Sequence, residues 1–220
     1  LSEHNIAVSE RTRRDLQKIG VSNLRVIPNG IDFEMIQSVE PSNKKSDIIY
    51  AGRLIKEKNV DVLLKSVGEI QKEIPDVKCL IIGDGPERAN LEEMVSRLEL
   101  EDNVEFTGFL EKHRQVISMF KSSKVFVSLS EREGFGITAL EANASGLPVL
   151  TSNHPKNAMR DLISKKNGFK VPLGEIDLIA GKMLEAMKSN MGWSYREFAR
   201  DYNWNKIAKE AESYYKSVVE

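Results

Sequence analysis

The chain has 220 residues, with 32 lysines and arginines against 33 aspartates and glutamates, and a formal net charge of −1 at pH 7. This near-neutral balance gives no support to a general nucleic-acid-binding surface, and no run is long and apolar enough to span a bilayer. The single cysteine, Cys79, lies in an apolar run and is expected in the core rather than in a disulfide. The three histidines lack the spacing of metal ligands. We expect a soluble, cytoplasmic protein.

The N-terminal segment contains a strand–helix–strand pattern. Residues 5–9 and 24–28 predict short strands, and residues 10–20 predict an amphipathic helix that ends at a glycine. A Pro-Asn-Gly turn at residues 28–30 closes the second strand. The polar residues 41–46 predict a surface loop.

A regular alternation of apolar strands and amphipathic helices begins at Asp47. The predicted strands are residues 47–51, 77–82, 103–106, 124–129 and 148–151, and the predicted helices are residues 59–73, 86–98, 112–121 and 136–145. Continuous apolar strands that alternate with helices predict an α/β fold with a doubly wound, Rossmann-like parallel sheet. The pattern ends with an edge strand at residues 167–172 and helices at residues 174–189, 193–200 and 204–218.

The segment 128–151 carries the densest set of chemical groups. Gly134 and Gly136 precede a predicted helix whose first amides are left open, and such a helix start favours a phosphate. Glu133 lies in the loop and Glu141 within the helix, so two carboxylates bracket the helix start. The alternative is a Gly-rich turn with two solvated glutamates.

The same helix has a predicted apolar stripe. Ile137, Leu140 and Ala144 follow helical spacing. Glu141 lies at the edge of this stripe, where a carboxylate costs free energy unless it binds something.

A second loop follows the first strand of the alternation. Arg53 comes directly after Gly52 at the strand end, and Lys58 precedes the next helix. A guanidinium and an ammonium at the carboxyl edge of a parallel sheet suit a diphosphate. The alternative for Lys56 and Lys58 is a pair of solvated loop charges.

A third loop contains Gly83-Asp-Gly85 after an apolar strand. A dinucleotide fingerprint would place its third glycine at Arg88, so a nicotinamide cofactor is not supported. Phe106 ends the next predicted strand and Phe109 follows it; packing in the core is one expectation for both, and contact with a nucleotide base, which a family resemblance implies for their loop, is the other.

These motifs together match a known family. Glu133, followed by Gly-Phe-Gly and then by Glu141, and the later run Gly146-Leu-Pro-Val149 closely resemble the signature of retaining glycosyltransferases of family GT4. These enzymes have the GT-B fold and use nucleotide-sugar donors. The resemblance implies that Glu133 and the Gly-Phe-Gly backbone hold the donor sugar, that the helix amides meet the diphosphate and that Glu141 binds the ribose hydroxyls. It implies catalytic roles for Glu133, Arg53 and Lys58, and donor binding by Gly52, Gly83, Gly85, Phe109, Gly134, Phe135, Gly136, Ile137, Thr138 and Glu141.

The resemblance also implies a division of the chain. Residues 26–32 resemble the family's interdomain hinge, so residues 1–30 are expected to be the tail of an N-terminal domain and residues 31–220 the donor-binding domain. The implied partners are a nucleotide-sugar donor and a carbohydrate or lipid-linked acceptor that the N-terminal domain would hold. No metal and no cofactor are implied, nucleic acid is not expected, and peripheral contact with a membrane stays open. The isolated chain is expected to bind donor without transferring sugar.

The resemblance stops at residues 153–161, where the family's Gly-Gly turn and following glutamate are replaced, so no family role is carried to this loop. Farther on, Trp204 and Tyr214 of the last helix are expected either to face the N-terminal domain or to lie in the core.

Three other classes of protein remain open. They are a nucleotide-sugar epimerase, a non-catalytic nucleotide-sugar-binding module and a phosphorylase that uses pyridoxal phosphate, although no lysine stands out as a Schiff-base residue.

Overall fold

The computed structural model describes residues 3–219. A small parallel sheet pairs β1 (Asn5–Ala7) with β2 (Leu24–Val26), and α1 (Glu10–Lys18) connects the two strands. The predicted strand–helix–strand pattern is therefore confirmed, with each element slightly shorter than expected.

The main sheet consists of β3 (Ile48–Ala51), β4 (Cys79–Ile82), β5 (Val104–Gly108), β6 (Val125–Ser128), β7 (Val149–Ser152) and β8 (Gly168–Val171). All six strands are parallel, in the order β5-β4-β3-β6-β7-β8. This arrangement confirms the prediction of a doubly wound α/β sheet. The chain moves outward from β3 in one direction and from β6 in the other, so the carboxyl ends of these two strands form the switch point where such sheets bind ligands.

The remaining helices of the described part are α2 (Phe33–Ser38), α3 (Val60–Gln71), α4 (Arg88–Arg97), α5 (His113–Phe120), α6 (Ile137–Ala144), α7 (Met159–Leu162), α8 (Ile176–Met187), α9 (Gly192–Arg200) and α10 (Trp204–Val219). The sequence did not predict α2 and α7, which are too short to show a clear helical period. The start of α2 is nevertheless specified locally, because Asp32 Oδ1 accepts a hydrogen bond from the backbone N–H of Met35 at 2.9 Å.

Two apolar layers cover the two faces of the main sheet. One layer packs α3, α4 and α8 against the strands, and the other packs α2, α5, α6 and α9. Neighbouring residues of a strand serve opposite layers, as Ile48 and Ile49 do, which is why the strands are apolar throughout. Cys79 lies in the first layer as expected, and burial raises the pKa of its thiol to about 12.

The structure corrects one prediction about side-chain placement and decides between the two alternatives for another. Leu140 and Ala144 are buried, but Ile137 is 41% exposed, because it lines an open cavity at the start of α6 rather than the core. Trp204 is not a core residue: it is half exposed, and its ring packs over Gly30. Farther along α10, Tyr214 lies beneath the guanidinium of Arg25 from β2. The last helix thus returns to the N-terminal segment. Across residues 3–219, no helix combines the length and the apolar character that a membrane crossing requires.

Candidate active site

A cavity of about 410 Å³ opens at the switch point, where the loops after β3 and β6 meet the start of α6. It is lined by Val8, Asn29, Tyr50, Ala51, Gly52, Arg53, Lys58, Ser128, Glu133, Gly134, Phe135, Gly136, Ile137 and Thr138. Most of the residues predicted from the sequence as a donor site therefore surround one space. The N-terminal segment contributes to the same walls through Val8 and Asn29.

Lys58 is held in place by contacts between two loops. It ends a single 3-10 turn, Lys56–Lys58, and the next residue, Asn59, adopts a left-handed conformation with φ of 50°. The Asn59 side chain donates a hydrogen bond to the Leu129 carbonyl at 2.9 Å, and the backbone N–H of Glu131 donates to the Glu57 carbonyl at 2.9 Å. These two bonds fix the turn against the end of β6.

Two residues that line the cavity form an ion pair. Lys58 Nζ donates to Glu133 Oε2 at 2.6 Å, and the two side chains are only 17% and 25% exposed. Partial burial reduces solvent screening, so this pair is stronger than a pair on open surface. Two of the three residues with an implied catalytic role are therefore in direct contact, and both line the cavity.

The loop that departs from the family pattern supports Glu133. The backbone N–H of Glu133 donates to the Lys156 carbonyl at 3.2 Å, and the N–H of Ala158 donates to the Glu133 carbonyl at 2.9 Å. Between these two residues lies Asn157, which is buried and whose amide nitrogen donates to Thr151 Oγ1 at 3.0 Å and to the Ser152 carbonyl at 3.1 Å. Because Asn157 is anchored on β7, the loop 153–161 ties the backbone of Glu133 to the main sheet.

A glycine and a buried aromatic residue shape the start of α6. Gly136 has φ of +105°, and a Cβ atom there would lie 2.8 Å from the side chain of Met159. Phe135 is buried and packs against Tyr202, which anchors the preceding loop. Since Gly136 carries no side chain that could cap the helix, the first amides, those of Ile137 and Thr138, open toward the cavity that these residues line. Such a helix end suits an anion.

The N-terminal segment is hydrogen bonded to the Gly-rich loop. The carbonyl of Gly134 accepts from Ser9 Oγ at 2.9 Å and from Thr12 Oγ1 at 3.3 Å. Ser9 Oγ also caps α1 by accepting from the backbone N–H of Thr12 at 3.0 Å. Arg11 adds a bond from its guanidinium to the Pro155 carbonyl at 2.7 Å. Residues on the two sides of the expected hinge are thus in direct contact.

Arg53 projects into solvent at the mouth of the cavity. Its side chain has no hydrogen bond or ion pair within residues 3–219, so its charge is available to a ligand. Its backbone is fixed, because the Tyr50 hydroxyl donates to the Arg53 carbonyl at 3.0 Å. Burial, and to a lesser extent the charge of Glu133, raises the pKa of Tyr50, so this hydroxyl remains a donor.

Glu141 does not line the cavity. It lies one helical turn beyond Ile137, on the same face of α6, and its side chain is 12% exposed. Glu141 Oε1 accepts a hydrogen bond from His113 Nε2 at 2.9 Å. This bond raises the pKa of His113, an effect that burial opposes and that the charges of Glu141 and Asp32 reinforce.

Three further predicted donor residues lie outside the cavity walls. A Cβ atom at Gly83 would lie 1.9 Å from the Gly52 carbonyl oxygen, and one at Gly85 would lie 2.3 Å from the Leu54 carbonyl oxygen. These glycines therefore permit close packing of the loop after β4 against the loop after β3. Phe109 is 76% exposed beyond β5, which excludes core packing for it. Its contact with a base stays a prediction.

The sequence did not identify several residues that shape the site. Tyr50 and Asn157 act through side-chain hydrogen bonds to nearby loop and strand residues, and His113 acts through a contact with α6. The signal for Asn157 was its position in the atypical loop, whereas His113 and Tyr50 carry no local motif. In the part of the chain that the structure describes, no group of three or more His, Cys, Asp or Glu residues is placed to hold a metal ion.

The fold and the cavity define a doubly wound α/β protein with a cavity at its switch point that Arg53 and Lys58 line. The family model described as "Glycosyl transferases group 1" matches residues 32–209, and the chain belongs to this family. The alpha-monoglucosyldiacylglycerol synthase of Streptococcus pneumoniae is 33% identical over 177 residues, which cover 74% of this chain and 39% of that protein. The gpi3 subunit of the phosphatidylinositol N-acetylglucosaminyltransferase of Schizosaccharomyces pombe is 29% identical over 98% of this chain and 49% of its own length. This chain thus spans less than half of either relative.

Solved structures show the same fold. The pneumococcal O-GlcNAc transferase GtfA, in complex with UDP and GlcNAc, superposes with a TM-score of 0.77 at 25% identity, over 97% of this chain and 45% of that one. The Anabaena protein HepE, in complex with UDP and glucose, gives a TM-score of 0.85 at 19% identity, over 99% of this chain and 64% of that one. These similarities confirm that the fold is that of GT-B glycosyltransferases.

Proposed function

We propose that this chain is the donor-binding half of a retaining glycosyltransferase that uses a nucleotide-diphosphate sugar. Residues 31–220 would hold the donor, and residues 1–30 would belong to an N-terminal domain that holds a carbohydrate or lipid-linked acceptor. The donor class is supported by the UDP and sugar bound in the structures of GtfA and HepE. The names of the synthase from Streptococcus and of the phosphatidylinositol enzyme support acceptors linked to lipids.

The observation that carries the proposal is the set of groups around one cavity. Arg53, Lys58 and the first residues of α6 line this cavity, and Lys58 bonds Glu133 directly at 2.6 Å. A diphosphate fits between the cations and the helix start, because both supply charge-assisted hydrogen bonds to its oxygens. Glu133 then lies beside the sugar, where a carboxylate can accept hydrogen bonds from its hydroxyls.

The same groups assist the reaction. As the acceptor oxygen bonds to the anomeric carbon, the bond from that carbon to the β-phosphate oxygen breaks, and the nucleoside diphosphate leaves with the electron pair. The proton of the acceptor hydroxyl passes to an oxygen of the departing phosphate. The new negative charge falls on oxygens next to Arg53, Lys58 and the α6 amides, which stabilise it without reorganisation. Lys58 exchanges one anionic partner for another, since it bonds Glu133 before the donor arrives. Here Glu133 positions the donor and is not assigned the role of a nucleophile.

The test is the binding of UDP, GDP and ADP and their sugars, measured by calorimetry and by thermal shift. A ligand at 100 times its dissociation constant is expected to stabilise the fold by about 2.7 kcal/mol. Arg53→Ala should weaken the nucleoside diphosphate far more than the bare nucleoside, because only phosphate contacts are removed. The matched control is Arg132→Ala, an exposed arginine next to Glu133 that does not line the cavity. Equal losses for nucleoside and diphosphate with Arg53→Ala would contradict the assignment.

The division of labour has a separate test. The 220-residue chain should bind a nucleotide sugar but transfer no sugar, because the acceptor wall of the cleft lies in the N-terminal domain. Transfer by this chain at the rate of a longer form that includes the upstream domain would refute the two-domain assignment. The assignment of the donor site would still stand after that result.

A further inference from the structure

The contact between His113 and Glu141 has no counterpart in the roles assigned above. Glu141 lies mostly buried on α6, and its Oε1 accepts the hydrogen bond from His113 Nε2. Within residues 3–219 no other group is hydrogen bonded to this carboxylate, so Oε2 is left without a protein donor. His113 itself is half exposed at the first residue of α5. A carboxylate held at one oxygen and open at the other is prepared for a second donor.

The surroundings of His113 combine both signs of charge. Its own helix contributes Lys112 before it and Arg114 after it, α6 contributes Glu141, and the segment before α2 contributes Asp32. Glu40 lines the same groove as His113. The carboxylates prevail, and the pKa of His113 lies above its ordinary value, chiefly because of the hydrogen bond to Glu141.

We propose that His113 positions the Glu141 carboxylate for the ribose hydroxyls of the nucleotide, and thereby sets the preference of this site for ribonucleotides over deoxyribonucleotides. This inference rests on the proposed function and on the role in ribose binding that the family resemblance implies for Glu141. Without the bond to Nε2, the carboxylate can rotate, and ordering it again on binding costs conformational entropy. His113 therefore acts through Glu141 and is a positioning residue.

The proposal predicts a pH dependence with a definite sign. A protonated imidazole donates from both nitrogens, so Nε2–H is present in every molecule. A neutral imidazole is divided between two tautomers, and only one of them donates from Nε2. The preference for ribose should therefore decrease as the pH rises through the pKa of His113. By linkage, a ribonucleotide should raise that pKa further on binding.

The experiment measures UDP, GDP and ADP against their 2′-deoxy counterparts by calorimetry, between about pH 5.5 and 8.5. Both ligands of a pair carry the same diphosphate, so the titration of the phosphates does not change the ratio of their dissociation constants. The wild-type chain should prefer the ribonucleotide by about tenfold at the acidic end, as for a hydrogen bond to a charged group. His113→Phe should bring this ratio close to one. His113→Gln, which retains an N–H donor, should keep the preference and remove its pH dependence.

A matched control and a spectroscopic readout separate positioning from stability. His4→Gln removes a histidine that lies exposed before the small sheet, and it should change neither the ratio nor its pH profile. The imidazole signals of His113, followed by NMR, should titrate at higher pH with UDP than with 2′-deoxy-UDP. A preference for ribose that survives unchanged in His113→Phe would overturn the inference and leave the proposed function standing. A wild-type chain that binds none of the nucleoside diphosphates would overturn both.

Discussion

Replacement of Lys58 by alanine tests the centre of the proposed site. Lys58→Ala removes one charge-assisted contact to the diphosphate, worth about 1.5–3 kcal/mol, so the affinity for UDP should fall by roughly 10- to 150-fold. Uridine, which lacks phosphate, should bind as before. The free chain should also lose stability, because Glu133 is only 25% exposed and is left without its partner at 2.6 Å.

The stability loss can be bounded from the same geometry. An exposed pair contributes up to about 1 kcal/mol and an unpaired buried group costs about 1–3 kcal/mol, so a loss of about 1–2 kcal/mol is expected for this half-buried pair. For a chain of this length such a loss corresponds to a decrease in Tm of about 2–8 °C. Calorimetry supplies both quantities.

The control for Lys58 lies in the same turn. Lys56 is exposed and does not line the cavity, so Lys56→Ala should change neither UDP affinity nor Tm appreciably. The double variant Lys58→Ala with Glu133→Gln should recover part of the lost stability but none of the affinity, because the unpaired carboxylate is gone and the phosphate contact is still missing. Equal weakening of uridine and UDP by Lys58→Ala would show that the residue maintains the loop rather than binding phosphate.

Four further predictions follow from the geometry. Arg53→Lys should restore only part of the affinity lost in Arg53→Ala, because an ammonium lacks the bidentate guanidinium, and full recovery in calorimetry would argue against a two-pronged contact. Gly136→Ala should destabilise the fold by about 1–2 kcal/mol, measured by denaturant unfolding, because its φ of +105° disfavours a side chain and Met159 occupies the space. Asn157→Ala should cost about 2 kcal/mol and weaken UDP binding as well, whereas an unchanged affinity would show that the 153–161 loop does not control Glu133. The raised pKa of His113 adds stability that is fully present below the ordinary histidine pKa of about 6.5 and is lost as the pH rises through the folded-state pKa, so His113→Gln should flatten the unfolding free energy against pH in that window.

A final prediction concerns metal ions. UDP should bind equally well with and without a chelator, because Arg53, Lys58 and the start of α6 neutralise the diphosphate themselves. A strict requirement for magnesium or manganese in calorimetry would contradict this account of the site.

The main sheet could be predicted from the sequence because its strands are apolar on both faces. Runs such as Ile48–Ala51 serve two core layers at once, so their pattern is local and strong. The short helices escaped prediction for the opposite reason: α2 has six residues and α7 has four, which is too few for a periodic signal. Ile137 shows a further limit, since its apolar character gave no sign that it lines a cavity instead of the core.

Some residues of the candidate site could also be predicted from local sequence, and others could not. Arg53, Lys58 and Glu133 lie in the loops that follow β3 and β6, and a topological rule brings such loops together whatever the details of packing. The glycines at 83 and 85 satisfied that rule equally well, but their lack of a side chain serves backbone packing against the β3 loop. His113 could not be predicted, because its partner Glu141 lies on a separate helix and the contact depends on tertiary geometry, whereas the only signal for Asn157 was its place in the atypical loop.

The bonds between Ser9, Thr12 and the Gly134 carbonyl have a mechanical consequence. Ser9 caps α1 with a lone pair and reaches Gly134 with its single proton, so these two tasks do not compete. If the N-terminal segment swings away, the cap on α1 persists and the Gly134 carbonyl passes to water. The contact between the start of α1 and the Gly134 carbonyl can thus break and form again without unfolding the first turn of α1. The two hydroxyl bonds are neutral and should respond little to ionic strength, whereas the ion pair between Arg14 and Asp161 at 3.9 Å should weaken as salt is added.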